Sequence, residues 1–364
     1  MKILFHLGHP AHFHLFRHVI RRLGEDGHVT VAVIKKKDVL EDLVAHEGIR
    51  CHNILEEGRR DGSLAAFLAM LKMDRRLLAF ARKQRPDLLV GTSVAISHVG
   101  RLLKIPSINV NEDDADAVPF YVRLAYPWAT DILAPVGCST GRWEARTIHY
   151  PGYHELAYLH ARRFGPDRER ISGSIYRSKP FFLLRFSGLA AHHDTGKSGI
   201  DDALARRIIG ILEPRGNVYI TSERPLATEF EKYRIAIDPL DIHHALFFAD
   251  LFIGDSQTMT AEAAVLGTPA LRFNDFVGRL GYLEELEHTY GLTYGFRTSE
   301  PDKLLEKLQE LLNTPNLKEE WRKRRERMLA DKIDVTAFMV WFIENYPQSV
   351  KVMREDPKFQ YRFR

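Results

Sequence analysis

The segment IGDSQTMTAEAAVLGTPALRF, residues 253–273, places a Gly-Asp-Ser turn between an apolar run and a short helix of small residues. Ser256 is a favoured N-cap residue, and Gly254 allows a sharp turn before it. The unpaired amides and the dipole at the start of such a helix favour an anion, for example a diphosphate. Thr258 and Glu262 lie one turn apart on one face, so the carboxylate is suited to accept hydrogen bonds from a ribose diol. The same pattern also permits a purely structural role, with a capping serine, tightly packed alanines and a solvated Glu262.

The segment GHPAHFHLFRH, residues 8–18, is rich in histidine, which raises the question of a metal site. Helical spacing places His14 and His18 on the solvent side, so only His9 and His12 lie near the turn after the first apolar run. No Asp, Glu or Cys accompanies them locally, and the pattern therefore disfavours a metal. A histidine at this turn could accept a proton from a hydroxyl or contact a phosphate. Ordinary surface histidines are the alternative.

The acidic segment NVNEDDADAV, residues 109–118, begins within the predicted strand Ile105–Val110 and continues past its end. Glu112 and Asp113, followed by two further aspartates, are therefore expected at the carboxyl edge of a sheet. Clustered acids at that edge could act as a base or bind a cation. A polar loop with one helix cap is an equally good interpretation.

The segment LRFSGLAAHHD, residues 184–194, follows the first strand pattern of the second half of the chain. Arg185 suits a phosphate because its guanidinium is a permanent, forked donor. Ser187, His192 and His193 are expected at the same edge. A flexible loop is the alternative, because the segment contains a glycine and two alanines.

These segments follow strand patterns in a chain that alternates strand-like and helix-like runs. The predicted strands are Lys2–Leu7, Val29–Ile34, Cys51–Leu55, Asp87–Val90, Ile105–Val110, Asp131–Leu133, Pro180–Phe186, Val218–Thr221, Arg234–Ile237, Leu251–Ile253 and Ala270–Phe273. Such alternation predicts βαβ units and parallel sheets. The polar stretch 162–179 is the predicted linker. We therefore expect two doubly wound α/β domains that face a central cleft, with ligands at the carboxyl ends of the strands.

The composition of the 364-residue chain supports two globular domains, with 45% hydrophobic and 27% charged residues. The two cysteines, Cys51 and Cys138, do not make a disulfide framework, which favours a reducing compartment. No run of 18 apolar residues predicts a membrane span. The net charge of +4 suits an anionic ligand or an acidic membrane surface without requiring nucleic acid. The basic tail after Pro347 is predicted to be loose.

Four segments resemble the domain-of-unknown-function family 354, namely GHPAHFHLFRHVIRRL, NEDDADAV, GYHELAYL and LFFADLFIGDSQTMTAEAAVLGTPALR. That family is similar to nucleotide-sugar enzymes of the GT-B fold, notably the non-hydrolysing UDP-N-acetylglucosamine 2-epimerase and the N-acetylglucosaminyltransferase of peptidoglycan synthesis. The resemblance implies two Rossmann-like domains. Residues 1–165 would form the acceptor domain, to which the C-terminal helix in 333–364 returns, and residues 175–332 would form the nucleotide-sugar domain.

The resemblance also implies roles for single residues. Ser256 matches the phosphate-contacting serine of the epimerase, and Glu262 matches its ribose-contacting glutamate. The Gly-Gly pair of the epimerase is replaced here by Gln257-Thr258, so the approach of the phosphates is expected to differ. Glu112 or Asp113 lies where the epimerase has a catalytic glutamate.

Two departures from the epimerase pattern count against epimerisation, which needs several acid–base groups. The aspartate after the preceding strand is replaced by Thr92 and Ser93, and the early Gly-Thr-Arg is replaced by Gly8-His9-Pro10. An inverting glycosyl transfer needs only an anchored UDP and one base for the acceptor hydroxyl.

We therefore expect a glycosyltransferase that moves a sugar from a UDP-sugar to a glycan or glycoconjugate acceptor in surface polysaccharide synthesis. The predicted binding residues are Gly8, Arg185, Ser187, Gly254, Asp255, Ser256, Gln257, Thr258, Met259 and Glu262, and the predicted catalytic residues are His9, His12, Glu112 and Asp113. The UDP-sugar is the substrate, and no cofactor or metal is expected. The alternatives are a nucleotide-sugar epimerase, a binding protein without turnover and, more distantly, a metal-dependent hydrolase that uses the early histidines.

The expected partners are a nucleotide-sugar donor and a carbohydrate or glycolipid acceptor, and no nucleic acid. The basic tail and exposed Arg and Lys side chains suggest peripheral contact with an anionic membrane, and a homodimer is compatible with the sequence. The expected location is the cytoplasm, with the inner face of the membrane as the alternative.

Overall fold

The computed structural model describes residues 1–35, 39–55, 63–171, 173, 175, 179–188 and 199–364. Its contacts divide the chain into two compact units: Met1–Tyr158 with Lys332–Arg364, and Leu159–Asp331. Each unit contains one parallel sheet with helices, which confirms the predicted α/β class. In the described part of the chain, no helix is both long and apolar enough to cross a bilayer.

The first unit begins with seven strands and their connecting helices. The strands are β1 (Lys2–Leu7), β2 (Val29–Lys35), β3 (Cys51–Leu55), β4 (Leu88–Gly91), β5 (Ser107–Val110), β6 (Asp131–Pro135) and β7 (Thr147–Tyr150), and the helices are α1 (Pro10–Glu25), α2 (Leu40–His46), α3 (Ser63–Gln84), α4 (Val94–Leu103), α5 (Pro119–Ala125) and α6 (Leu156–Leu159). A 3₁₀ turn, Gly141–Arg146, precedes β7.

The seven strands run parallel in the order β3-β2-β1-β4-β5-β6-β7. The chain reverses its direction across the sheet between β1 and β4, so right-handed crossovers put α1 and α2 on one face and α3, α4 and α5 on the other. Leu4, Val33 and Leu89 of the strands pack against Leu77 of α3 and Val99 of α4 in the core of that second face. The reversal point between β1 and β4 is where doubly wound sheets hold ligands.

The second unit has five strands. They are β8 (Phe181–Phe186), β9 (Asn217–Ser222), β10 (Leu251–Gly254), β11 (Ala270–Phe273) and β12 (Thr293–Phe296), and the helices are α7 (Asp202–Leu212), α8 (Ile242–Phe248), α9 (Gln257–Leu266), α10 (Gly281–Glu284), α11 (Pro301–Asn313) and α12 (Leu317–Asp331). The parallel order is β12-β11-β10-β8-β9, so the reversal point lies between β8 and β10.

The C-terminal segment returns to the first unit as α13 (Val335–Glu344), α14 (Gln348–Glu355) and a 3₁₀ turn over Pro357–Phe363. The prediction of a loose tail after Pro347 is wrong. Val350 and Met353 form a buried face of α14, and the Trp341 and Phe359 rings stack at 4.6 Å. The prediction failed because Lys and Arg residues alternate with the apolar ones in this segment, so its composition looks basic although one face of the helix is apolar.

Besides α14, the sequence analysis missed helices α5, α6 and α10 and strands β7 and β12, and one predicted strand is absent. Helix α5 and strands β7 and β12 are short, and their patterns are too brief to stand out from their neighbours. The predicted strand Arg234–Ile237 contributes only a single bridge, from Arg234 to Ile220, because a 3₁₀ turn over Thr228–Tyr233 occupies the preceding residues.

Candidate functional site

The start of α9 lies at the reversal point of the second sheet. Ser256 caps this helix as predicted, because its Oγ accepts a hydrogen bond from the Met259 amide at 3.3 Å. Residues 256–259 are partly exposed, whereas Thr260 and the rest of the helix are largely buried. The predicted binding residues Gln257, Thr258 and Met259 therefore present the amide-rich end of a helix dipole to the surface of this unit.

Asp255 was predicted to bind the nucleotide, but in the structure its carboxylate accepts hydrogen bonds from backbone amides of the second unit. Asp255 is buried, and it accepts hydrogen bonds from the amides of Ser187 at 2.6 Å and Ile200 at 3.3 Å. A Cβ at position 199 would lie 2.4 Å from Asp255 Oδ2, so only glycine fits there. Burial raises the pKa of Asp255, and these amides oppose that rise. Asp255 thus fixes the chain after β8 against the start of α9.

Arg185 was predicted to contact phosphate, and the structure pairs it with a carboxylate. The Arg185 guanidinium donates to Glu223, whose other oxygen accepts from the Gly188 amide at 3.0 Å. A phosphate would therefore have to compete with Glu223 for this cation. The histidines at 192 and 193, which were expected beside it, lie outside the described residues.

Gly254 is required by close packing of two strands rather than by a sharp turn. Its φ is outside the left-handed region. A Cβ on this residue would lie 3.0 Å from Arg185 Cβ and 3.1 Å from Arg185 O. The expectation that Gly254 serves a turn is therefore corrected.

Substitution of Gly254 by alanine is expected to destabilise the protein by about 1–3 kcal/mol, because the backbone of Arg185 must move. Urea denaturation of Gly254→Ala measures this. Gly210→Ala is the matched control: Gly210 is exposed in α7 and has open space around its Cα, so the change should stabilise the helix by roughly 0.5–1 kcal/mol. Equal stabilities of the two variants would contradict the packing argument.

Glu262 is neither solvated nor isolated. Its carboxylate is buried, and Oε1 lies 2.9 Å from His243 Nε2 of α8. The sequence analysis placed Glu262 correctly one turn inside α9 but missed His243, because a contact between two helices leaves no local pattern. The packing of α8 against α9 makes His243 the residue that orients the carboxylate.

The first unit carries a second group of polar side chains, after β1. His9 caps α1, because its Nδ1 accepts from the Ala11 amide at 3.1 Å, and His12 Nδ1 accepts from the Gly8 amide at 3.2 Å. The rings of His9 and His12 are 5.9 Å apart. In both predicted catalytic histidines, Nδ1 therefore accepts a hydrogen bond from the backbone. A proton transfer would have to use the other ring nitrogen, Nε2.

His14 was expected on the solvent side of α1, and this expectation is wrong. The side chain is buried and its ring packs 5.1 Å from those of Phe13 and Tyr158. The helical wheel alone cannot reveal this, because Tyr158 comes from a distant part of the chain.

Three histidines near the end of β1 are held neutral by burial. Burial lowers the pKa of His6 to about 3 and that of His154 to about 4, and it lowers the pKa of His12 well below its ordinary value. The charge of Lys35 acts in the same direction on His6 and His12. Neither ring nitrogen of His6 has a hydrogen-bond partner among the described residues. These rings are therefore neutral donors and acceptors at neutral pH.

The lowered pKa values predict acid sensitivity. Between pH 6.5 and about 4, the unfolded chain binds protons that the folded chain does not. The free energy of unfolding is therefore highest above this pH range and falls as the pH drops through it. Each such histidine contributes a slope of roughly 1.4 kcal/mol per pH unit. Urea titrations at several pH values measure the slope, which His6→Leu should reduce by about one histidine's share. The control is His149→Gln, because His149 pairs with Glu144, whose side chain is half-exposed. An unchanged slope in His6→Leu would refute the conclusion that burial keeps His6 neutral.

Glu112 and His154 form a pair that the sequence analysis did not find. Glu112 Oε1 lies 3.3 Å from His154 Nδ1, and Oε2 accepts from the His154 amide at 3.3 Å. The carboxylate thus orients the ring so that Nε2 points away from it. Burial raises the pKa of the Tyr150 hydroxyl, and the nearby charges of Glu112 and Glu155 raise it further. The residues are 42 positions apart, so only the fold brings them together.

Of the other acidic residues in this loop, one accepts a backbone hydrogen bond and one is exposed to solvent. Asp114 accepts from the Ser139 amide at 2.8 Å, and Asp116 is exposed. Asp113 is partly buried, and its charge opposes the lowered pKa of His154. Within the described ranges, no group of three or more His, Cys, Asp or Glu side chains could hold a metal ion.

Comparison with known families gives a match over residues 1–276 to the family described as "Protein of unknown function (DUF354)". The chain belongs to this family. The matched part of the DUF354 protein contains Glu112, His154, Ser256 and Glu262. No curated protein sequence matches the chain.

Solved structures resemble the DUF354 protein at low identity. The UDP-GlcNAc 2-epimerase from Neisseria meningitidis bound to UDP-GlcNAc has a TM-score of 0.66 and 15% identity, covering 95% of this chain and 100% of that chain. The spinosyn rhamnosyltransferase complexed with thymidine diphosphate has a TM-score of 0.64 and 15% identity, covering 94% and 100%. The kitacinnamycin glycosyltransferase has a TM-score of 0.62 and 14% identity, covering 94% and 98%. The likeness establishes the GT-B fold.

Proposed function

We propose that this protein binds a UDP-sugar and transfers the sugar to a hydroxyl of a glycan or glycoconjugate acceptor. The observation that carries the proposal is the start of α9: a capped, partly exposed helix end at the reversal point of a parallel sheet, with the Glu262 carboxylate one turn inside. Solved structures of this fold in complex with UDP-GlcNAc and thymidine diphosphate support it.

In the second unit, the amides of residues 257–259 and the hydroxyls of Ser256 and Thr258 would hold the diphosphate. Negative charge develops on the diphosphate as the bond to the sugar breaks, and a fixed helix dipole stabilises that charge without reorganisation. Glu262 would accept hydrogen bonds from the ribose hydroxyls. The proposal needs no resident metal or cofactor for these steps.

His243 is expected to act through Glu262 as a positioning residue. His243→Leu removes the partner of a buried carboxylate and should weaken UDP binding about five-fold, whereas His243→Gln can still donate and should retain most of the affinity. Calorimetric titration of UDP measures both. Equal affinities for the two variants would remove His243 from the site.

In the first unit, the Glu112–His154 pair would take the acceptor proton. The acceptor oxygen attacks the anomeric carbon, the bond from that carbon to the UDP oxygen breaks, and UDP leaves with the electron pair. The acceptor proton would pass to Nε2 of His154, an atom that is buried in the absence of an acceptor and has no hydrogen-bond partner among the described residues. The ring is neutral because burial lowers its pKa to about 4. Asp113, His9 and His12 would shape the surrounding acceptor site.

The test is a thermal-shift panel of UDP, GDP, CMP and dTDP sugars with the wild-type protein. Ligand at about 100 times its Kd stabilises a folded protein by roughly 2.7 kcal/mol, which is readily measured. UDP and its sugars should raise the melting temperature most. If none of these nucleotides raises it, the proposed function is wrong.

An epimerase is the second candidate, because a UDP-GlcNAc 2-epimerase is among the similar structures. NMR of UDP-N-acetylglucosamine with the protein and no acceptor separates the two activities. A new UDP-sugar under these conditions would establish epimerisation, whereas UDP release that depends on an added acceptor would establish transfer.

A further inference from the structure

One helical face of the first unit exposes large apolar side chains. We call it the α3–α5 face and define it by the outer surfaces of α3, α4 and α5 with the turn up to Trp128. Its exposed members are Phe67 (51% exposed), Leu68 (56%), Leu71 (46%), Leu102 (67%), Phe120 (78%), Leu124 (36%) and Trp128 (47%). They are the majority of the large apolar side chains that are exposed anywhere in the described residues. Such clustering marks an interaction surface.

The three helices form one continuous surface. His98 of α4 holds them together, since its Nδ1 lies 2.7 Å from Asp74 Oδ2 of α3 and its Nε2 lies 3.0 Å from the Leu124 carbonyl of α5. The Trp128 ring makes a T-shaped contact with the same imidazole, with ring centroids 6.2 Å apart. Leu71 is one turn before Asp74 on the same face of α3, and Leu124 of α5 supplies the carbonyl that His98 contacts, so apolar side chains of both helices lie next to this junction.

The charges on the same helices are almost all positive. Helices α3, α4 and α5 contain seven Lys or Arg residues and one acid, Asp74, which is paired with His98. The exposed cations are Arg75, Arg82, Lys83, Arg101 and Arg123. Apolar side chains interleaved with cations are the composition that binds an anionic lipid surface, since headgroups attract the cations while aromatic and leucine side chains enter the acyl boundary.

We infer that the α3–α5 face docks on an anionic membrane surface. The sequence analysis expected membrane contact through the basic C-terminal tail and exposed Arg and Lys side chains. The aromatic residues of that tail are packed within the first unit, so we assign the contact to the α3–α5 face instead. The inference goes beyond sugar transfer, since a face that docks on lipid does not depend on the nucleotide. It would bring the acceptor-binding unit to a lipid-linked acceptor.

The test is co-sedimentation of the full chain with phosphatidylcholine vesicles, with and without phosphatidylglycerol. Wild type should bind the anionic vesicles and not the neutral ones, and added salt should weaken binding. The double variant Phe120→Ser with Trp128→Ser should lower the partition at least about ten-fold, because two large side chains no longer enter the bilayer. Arg75→Glu with Arg123→Glu should do the same at low salt.

The control is Val29→Ser with Val136→Ser, two valines of similar exposure (55% and 56%) in the same unit but off this face. It should bind like wild type. Equal binding of wild type to neutral and anionic vesicles, or wild-type binding by both α3–α5 double variants, would overturn the inference. UDP-induced thermal shifts of the same variants without vesicles should be unchanged, which separates a failure here from a failure of the proposed function.

Discussion

Glu112→Gln is expected to lower the rate of sugar transfer by about 10²–10⁴-fold, the usual contribution of a positioned general base and its orienting partner. The amide keeps the size of the carboxylate but cannot hold the His154 ring in the required tautomer or stabilise its protonated form. Binding of UDP should be unchanged, because all the predicted nucleotide contacts except Gly8 lie in the second unit. The measurement is UDP released from the UDP-sugar that gives the largest thermal shift, in the presence of acceptor.

The pair can be tested as a unit. His154→Asn should lose about as much activity as Glu112→Gln, and the double variant should lose little more than either, because residues that act together are not additive. Glu144→Gln is the matched control, since Glu144 pairs with His149 at 2.7 Å in the same unit but is half-exposed. Multiplicative losses in the double variant would contradict a shared role.

The pH profile gives an independent readout of the same pair. Because burial lowers the pKa of His154 to about 4, the rate should stay flat from pH 8 down to about 5 and fall only as the ring becomes protonated. A fall centred near the ordinary histidine pKa would instead indicate an exposed histidine as the base.

Glu262→Gln is expected to weaken UDP binding by about 10- to 100-fold, since hydrogen bonds to a charged group contribute roughly 1.5–3 kcal/mol. The amide can still pair with His243, because an imidazole can donate or accept at Nε2. The helix should therefore keep its packing while the ribose contact weakens. Calorimetric titration of UDP measures the loss, and the unfolding midpoint without ligand checks the fold.

The control for Glu262 is Asp250→Asn, which removes a carboxylate from the other end of the same sheet. Asp250 accepts from the Phe181 amide at 2.8 Å and pairs with Lys318. This variant should be less stable but should bind UDP like wild type. If Glu262→Gln bound UDP as tightly as wild type, the ribose contact would have to be assigned to another residue.

Local chemistry let the sequence alone predict several features. The cap at Ser256 and the end of α9 at Gly267, whose φ is +83°, depend on residues within one turn of each other. The parallel α/β class likewise depends on the repeated alternation of short patterns. A short stretch of the sequence is therefore enough to predict each of these features.

The tertiary structure decided which polar side chains meet. Glu262 and His243 are 19 positions apart, Glu112 and the His154 amide are 42, and Asp255 and the Ser187 amide are 68. Spacing in the chain does not encode such pairs, because strand order and helix packing bring them together. The sequence by itself determined which residues could do chemistry at the ends of the strands. The fold decided that Asp255 anchors a loop, that Glu262 is held by a histidine, and that Glu112 orients one.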